Sequence, residues 1–325
     1  MMRSDAFLCF AWVGLSLLIW ANPAIAGERA FITTQSDDSV SVVDLDTFDV
    51  IGTIKIGGKP AGIAILTDGK TAYVSSPEGK FVSLVDTETL KVRSRIELAG
   101  GPLGIALHPT GDRLYVADWY NHRIHVVDTS KTGTDSVIAE IPVGQSPAGL
   151  AVTEDGKTLV SADRDSNQIS IIDTSTNEVT GTIQVGTRPF GVTLSNDGRK
   201  AYTADVGSNS VTIVDLERGK VVATLKVEER PYAVALARGK IFVTNQYANT
   251  VSVIDEASLE TLKVLETGEY PEGIDVGSNG RYVYVANWFD NTVSKIDAET
   301  LEIIGSADVG DGPRAFGKFI VSTGK

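Results

Sequence analysis

Cysteine is almost missing from this 325-residue sequence, and the single example, Cys9, lies in an uncharged apolar run from Ala6 to Trp20. Arg3 precedes that run and Ala24-Ile25-Ala26 follows it with small residues around one spacer, the pattern of a cleaved export signal. The small residues that a lipoprotein signal would place before Cys9 are absent. Residues 1–26 are therefore expected to be a signal peptide, with the mature chain beginning at Gly27 and carrying no membrane span. Such a chain has no cysteine at all. That excludes disulfides, thiolate metal sites, covalent c-type haem and a cysteine nucleophile. A cysteine-free exported chain fits a bacterial periplasm.

Positive charge is also scarce. Lys and Arg number 29 against 42 Asp and Glu, a net charge of −13. Nothing offsets phosphate repulsion globally, so a general nucleic-acid or anionic-membrane binder is disfavoured. Three histidines, His108, His122 and His125, make no catalytic set. No Gly-x-Ser-x-Gly elbow, His-Glu-x-x-His pair or phosphate-cradling glycine loop appears. Neither a metal nor another cofactor is implied. No Pro/Ser/Gly-rich linker divides the chain either, so residues 27–325 read as one domain.

What is present is a repeat. A proline followed by a short apolar run occurs at Pro60, Pro102, Pro147, Pro189, Pro231, Pro271 and Pro313, spaced by 42, 45, 42, 42, 40 and 42 residues. An aspartate closing an alternating strand recurs at Asp44, Asp86, Asp128, Asp173, Asp215, Asp255 and Asp297, with the same drift. Within one unit, Gly104 to Leu107, Arg113 to Ala117, Arg123 to Val127 and Ile138 to Val143 read as four short strands separated by turns. Seven such units predict an all-β, seven-bladed β-propeller with four antiparallel strands per blade. The first segment supplies only a second, third and fourth strand (Ala30 to Thr33, Val40 to Val43, Val50 to Ile56). The last, Ala315 to Val321, is a first strand with nothing after it. The two are expected to complete one blade and close the ring, which removes an open sheet edge. A monomer is expected.

The second strands read Phe31-Ile-Thr-Thr, Tyr73-Val-Ser-Ser, Tyr115-Val-Ala-Asp, Val160-Ser-Ala-Asp, Tyr202-Thr-Ala-Asp, Phe242-Val-Thr-Asn and Tyr284-Val-Ala-Asn. With Asn-Thr-Val-Ser-Val-Ile-Asp at 249–255, the chain resembles the YVTN family of β-propeller repeats over nearly all of residues 27–325. The resemblance implies a seven-bladed propeller, usually secreted or periplasmic. It does not imply one activity. That family includes surface-layer proteins, accessory proteins of quinone-dependent alcohol oxidation and a DNA-binding periplasmic protein. Subunits of quinone-cofactor amine dehydrogenases have similar propellers.

Strand direction places the seven proline loops and the seven loops between second and third strands on one face, where the blades differ most. Arg188, Arg230 and Arg314 flank prolines there, beside Phe190, Tyr232 and Glu272. They could form a cationic cluster for a carboxylate, a phosphate or an acidic partner, or they could pair with Asp163, Asp205 or Glu272. Further out, Trp119, Tyr120, Tyr247, Trp288 and Phe289 could anchor a partner or pack against each other. Asp37, Asp38, Asp118, Asp163, Asp165, Asp205 and Asp290 could hold a hard cation, though acids at strand ends usually bond their own turns. These features favour a non-enzymatic binding or scaffold protein with a protein partner or small anionic ligand, possible accessory of a quinoprotein or respiratory oxidation system. The alternatives are a lactonase-like hydrolase or redox subunit, for which the axis offers Glu272 and Asp275, and single-stranded nucleic-acid binding.

Overall fold

The computed structural model describes residues 27–131 and 133–323, so the expected signal peptide lies outside the described residues. Seven four-stranded antiparallel blades form a β-propeller, and two single-turn 3-10 helices are the only helical segments among the described residues. Blade 4 shows the pattern: Pro147–Val152 innermost, then Thr158–Asp163, Gln168–Asp173 and Glu178–Gln184 outermost. The other first strands are Gly62–Ile65 (blade 2), Pro102–Leu107 (blade 3), Pro189–Leu194 (blade 5), Pro231–Ala237 (blade 6) and Pro271–Val276 (blade 7).

Burial explains why the strands read differently. Second strands such as Thr71–Ser76 are buried on both faces between neighbouring blades, whereas the outer strand Lys91–Glu97 alternates with solvent. The aromatic residue that opens the second-strand motif (Phe31, Tyr73, Tyr115, Tyr202, Phe242, Tyr284) supplies the largest fully buried side chains of the molecule. The aspartate repeated at the third-strand end caps the next turn. Asp173 Oδ1 accepts from the N–H groups of Ser175 and Thr176, and Asp255 Oδ1 from those of Ala257 and Ser258.

Near the axis the constraint is steric. A Cβ on Gly104 would lie 1.8 Å from the carbonyl oxygen of Ala148 in the next blade. The same atom on Gly62, Gly149, Gly191 or Gly273 would lie between 2.2 and 2.6 Å from a neighbouring carbonyl. Only glycine two residues after the proline lets these first strands approach so closely, while blade 6 manages with Ala233. In blades 3 to 7 the first strand also carries a bulge after its proline, as between Pro271 and Ile274.

The ring closes through both ends of the chain. Ile320–Thr323 is the innermost strand of blade 1, antiparallel to Gly27–Thr34, whose partners are Ser39–Asp44 and then Val50–Lys55. The closing strand begins late. Pro313 bridges Thr34 and Ile320 pairs with Ala30, so seven steps on one side match four on the other. In blade 7, four steps match three. The surplus residues loop toward blade 2, where Phe316–Gly317 runs parallel to Gly62–Ile63. Asp275 of blade 7 secures the return, its Oδ2 accepting from the N–H groups of Phe319 (2.9 Å) and Ile320 (3.0 Å).

Deleting Ala315 to Lys325 therefore leaves blade 1 without its inner strand and Asp275 Oδ2 without the N–H groups of Phe319 and Ile320. Circular-dichroism melting is expected to lose its cooperative transition. A truncated chain that melts at the same midpoint contradicts this closure.

Candidate functional site

The residues that follow each proline meet at the axis. Ala61, Leu103, Ala148, Phe190 and Tyr232 are buried in one cluster with Phe316 from the closing excursion. Phe190 packs on Tyr232 with ring centroids 4.3 Å apart and on Phe316 at 5.1 Å, and together they form an aromatic plug. Above this floor, on the proline face, a funnel of about 600 Å³ opens outward. Trp119, Tyr120, Tyr270, Trp288 and Phe289 form much of its wall, with the rings of Tyr120 and Phe289 mostly exposed. Four cations, Lys59, Arg164, Arg230 and Arg314, line it against two carboxylates, Glu78 and Glu272.

Most of that charge is already engaged. Glu272, fully buried, holds Arg314 Nε 3.1 Å from its Oε2, and the same guanidinium donates to Tyr232 Oη at 3.0 Å. Burial pushes the Glu272 carboxyl above its ordinary range, while Arg314 pulls it back. Arg164 pairs with Asp165 at 2.6 Å and Lys59 faces Asp38 at 3.9 Å. Arg230 differs. Its Nε donates to Gln246 Oε1 at 2.7 Å and its guanidinium sits 4.7 Å from the Tyr247 ring centre. Its two terminal nitrogens have no partner among the described residues. Gln246 is buried and oriented in turn by Glu272, whose Oε1 accepts from Gln246 Nε2 at 2.7 Å.

A three-arginine cluster does not form. Arg230 and Arg314 line the funnel together with Phe190, Tyr232, Glu272, Trp119, Tyr120, Trp288 and Phe289, but Arg188 is exposed and outside it. The neighbours account for the difference. Gln246 and Tyr247 hold Arg230, whereas Val206 and Gly207 at the equivalent positions of blade 5 offer Arg188 neither acceptor nor ring. Of the acids expected as possible arginine partners, only Glu272 is one.

Asp163 and Asp205 serve another purpose. Asp205 accepts from the hydroxyls of Thr203, Ser210 and Thr212, and Asp163 from those of Ser161 and Ser170. Gly144, in the loop entering blade 4, donates its N–H to Asp163 at 3.0 Å. In blades 6 and 7 the residue is asparagine, and the bonds reverse: Asn245 Nδ2 donates to Thr250 and Ser252, Asn287 Nδ2 to Thr292 and Ser294. Hydroxyls both donate and accept, so they bond either residue, although Oδ1 of Asn245 and of Asn287 stays buried without a hydrogen-bond partner among the described residues. Burial pushes the Asp205 carboxyl up to about 6 despite these bonds, and raises Asp163 too. Asp118 is held low: against burial, bonds from His125, Asn121 and backbone N–H groups prevail. No group of three or more His, Cys, Asp or Glu among the described residues is placed to hold a metal.

A second fixture had escaped sequence reasoning. Asn167, Asn209, Asn249 and Asn291 adopt left-handed backbone (φ 53 to 58°), and each side chain accepts the N–H of the residue 21 positions on, just before the next proline. Asp38 does the same for Lys59 and His122 for Ser146, so His122 is a loop clamp. The recurring interval, 21 residues except for 24 at His122, was the available signal.

Against known proteins, one blade is informative. Residues 100–127 match the NHL repeat. The NHL match covers one unit of the seven. Among solved structures, the chain is similar to Kuenenia stuttgartiensis hydrazine synthase, with TM-score 0.70 and 24% identity over 79% of this chain and 89% of that one. It is also similar to a functionally unknown protein from Desulfotomaculum acetoxidans DSM 771, with TM-score 0.72 and 16% identity over 89% and 99%. Comparison with curated proteins gives no match. At these identities the likeness shows the propeller fold alone.

Because the Asp205 carboxyl is raised in the folded state, its contribution to stability is full below about pH 4 and is lost as pH rises through about 6. Asp205→Asn, which copies blades 6 and 7, is expected to stabilise the protein above pH 6 by on the order of 1–2 kcal/mol. The gain should vanish near pH 4. Thermal melts of both proteins across that range check this, and a pH-independent difference would refute the cause given.

Proposed function

We propose that this chain is a non-enzymatic binding propeller that receives a partner segment or a small anionic ligand in the proline-face funnel. The observation that carries this reading is Arg230, preset by Gln246 and Tyr247 with two unsatisfied nitrogens, in a chain of net charge −13. Rigid aromatic rings beside a fixed guanidinium are the residue types that dominate binding energy at interfaces. A hydrolase would draw on the carboxylates nearest the axis, and both are occupied. Glu272 is taken by Arg314 and Gln246, and Asp275 by the N–H groups of Val276, Phe319 and Ile320.

The export pattern in residues 1–26 supports action in the periplasm. The YVTN-like second strands support a role as accessory to a quinoprotein or other respiratory oxidation system. A pull-down from periplasmic extract tests the face. Trp119→Ala, Trp288→Ala and Arg230→Ala are each expected to reduce partner recovery severalfold, with Arg188→Ala as the neutral control. Recovery unchanged by the first three, or lost with Arg188→Ala alone, removes the funnel from this role.

A further inference from the structure

Resting on that reading, we infer that the funnel's ligand presents one carboxylate next to an aromatic or bulky apolar group, with Arg230 as the carboxylate clamp. A guanidinium held at Nε keeps its terminal pair aligned, and that pair matches the two oxygens of a single carboxylate. Orientation is already set before a ligand arrives, because Gln246 fixes Nε at 2.7 Å and is itself fixed by Glu272 at 2.7 Å. Every other funnel cation already faces a carboxylate of this chain. One free fork admits one acid.

The surroundings select what the acid is attached to. The Tyr270 ring stands between Tyr247 (5.7 Å, tilted by 43°) and Phe289 (5.0 Å, edge-on at 62°), a run of rings that starts beside Arg230. An apolar group packed on those rings leaves its carboxylate near Arg230. A polynucleotide needs successive cations for successive phosphates, and Glu78 and Glu272 in the same lining oppose that. The carboxylate could belong to the C-terminal residue of a protein or to a free aromatic acid.

Titration calorimetry of the intact protein distinguishes these sources, using acetyl-Gly-Phe as free acid, its C-terminal amide, and 3-phenylpropionate. Tryptophan fluorescence reports the site, since Trp119 and Trp288 are the two tryptophans of residues 27–325 and both line the funnel. The free acids are expected to bind at least about tenfold more tightly than the amide. Arg230→Lys should weaken the acids by about tenfold or more, and Arg188→Lys by less than about twofold. The peptide acid binding more tightly than 3-phenylpropionate supports a protein C terminus, and equal binding supports a small acid. Acid and amide binding alike, or no binding by either acid, overturns the carboxylate assignment. If that happens while partner recovery still depends on Arg230, the binding face stands; loss of both removes both. Unchanged melting of each Arg230 variant separates lost binding from lost fold.

Discussion

The whole structure depends on how closely the inner strands approach one another at the axis. Where Gly104 passes Ala148, a single Cβ would fall 1.8 Å from a carbonyl oxygen, so five of the seven inner strands can be this tight only because glycine stands two residues after the proline, with Ala233 and Ala315 at that place in the other two. That proximity has a functional consequence. The residue after each proline is driven to the axis, where seven side chains of six kinds meet. In blades 2 to 6 they are apolar or aromatic, while blade 7 and the closing strand contribute Glu272 and Arg314. The floor of the funnel is thus set by the one position that the repeat leaves free.

From the floor, order passes outward through hydrogen bonds. Arg314 pairs with Glu272 at Oε2, Gln246 donates to its Oε1 and fixes Arg230, and Tyr247 supports that guanidinium. A buried charge with a partner on each oxygen is a costly arrangement to assemble and a rigid one once formed. The loop clamps add to this rigidity. An asparagine in each of blades 4 to 7 holds the backbone of the next proline loop, so the rim residues start from a fixed frame.

Much of this was legible in the sequence. Proline and aspartate markers drifting together gave the blade count, and the incomplete ends gave the closure. Most strand limits moved by one to three residues, the first strand starting at the proline itself in blades 3 to 7, while the closing strand starts at Ile320, five residues after the expected Ala315. What stayed hidden depends on partners distant in sequence. Arg188 and Arg230 look equivalent beside their prolines, and only Gln246-Tyr247 against Val206-Gly207 separates them. Phe316 reaches the axis because two extra residues are accommodated before Ile320, and no local pattern marks that detour. Asp163 and Asp205, which could have been cation ligands or arginine partners, proved to be fasteners held by serine and threonine hydroxyls. An Asp/Asn alternation at that position was the clue.

We propose that the proline-face funnel, and not the blade edges or the opposite face, receives the ligand or partner. A photo-crosslinking phenylalanine analogue at Tyr120 or Phe289, compared with one at Val222 on an outer strand, tests it directly in the cell. Adducts are predicted from the two funnel positions and should disappear with Arg230→Gln. Adducts from Val222 alone, or funnel adducts indifferent to Arg230, would contradict the account.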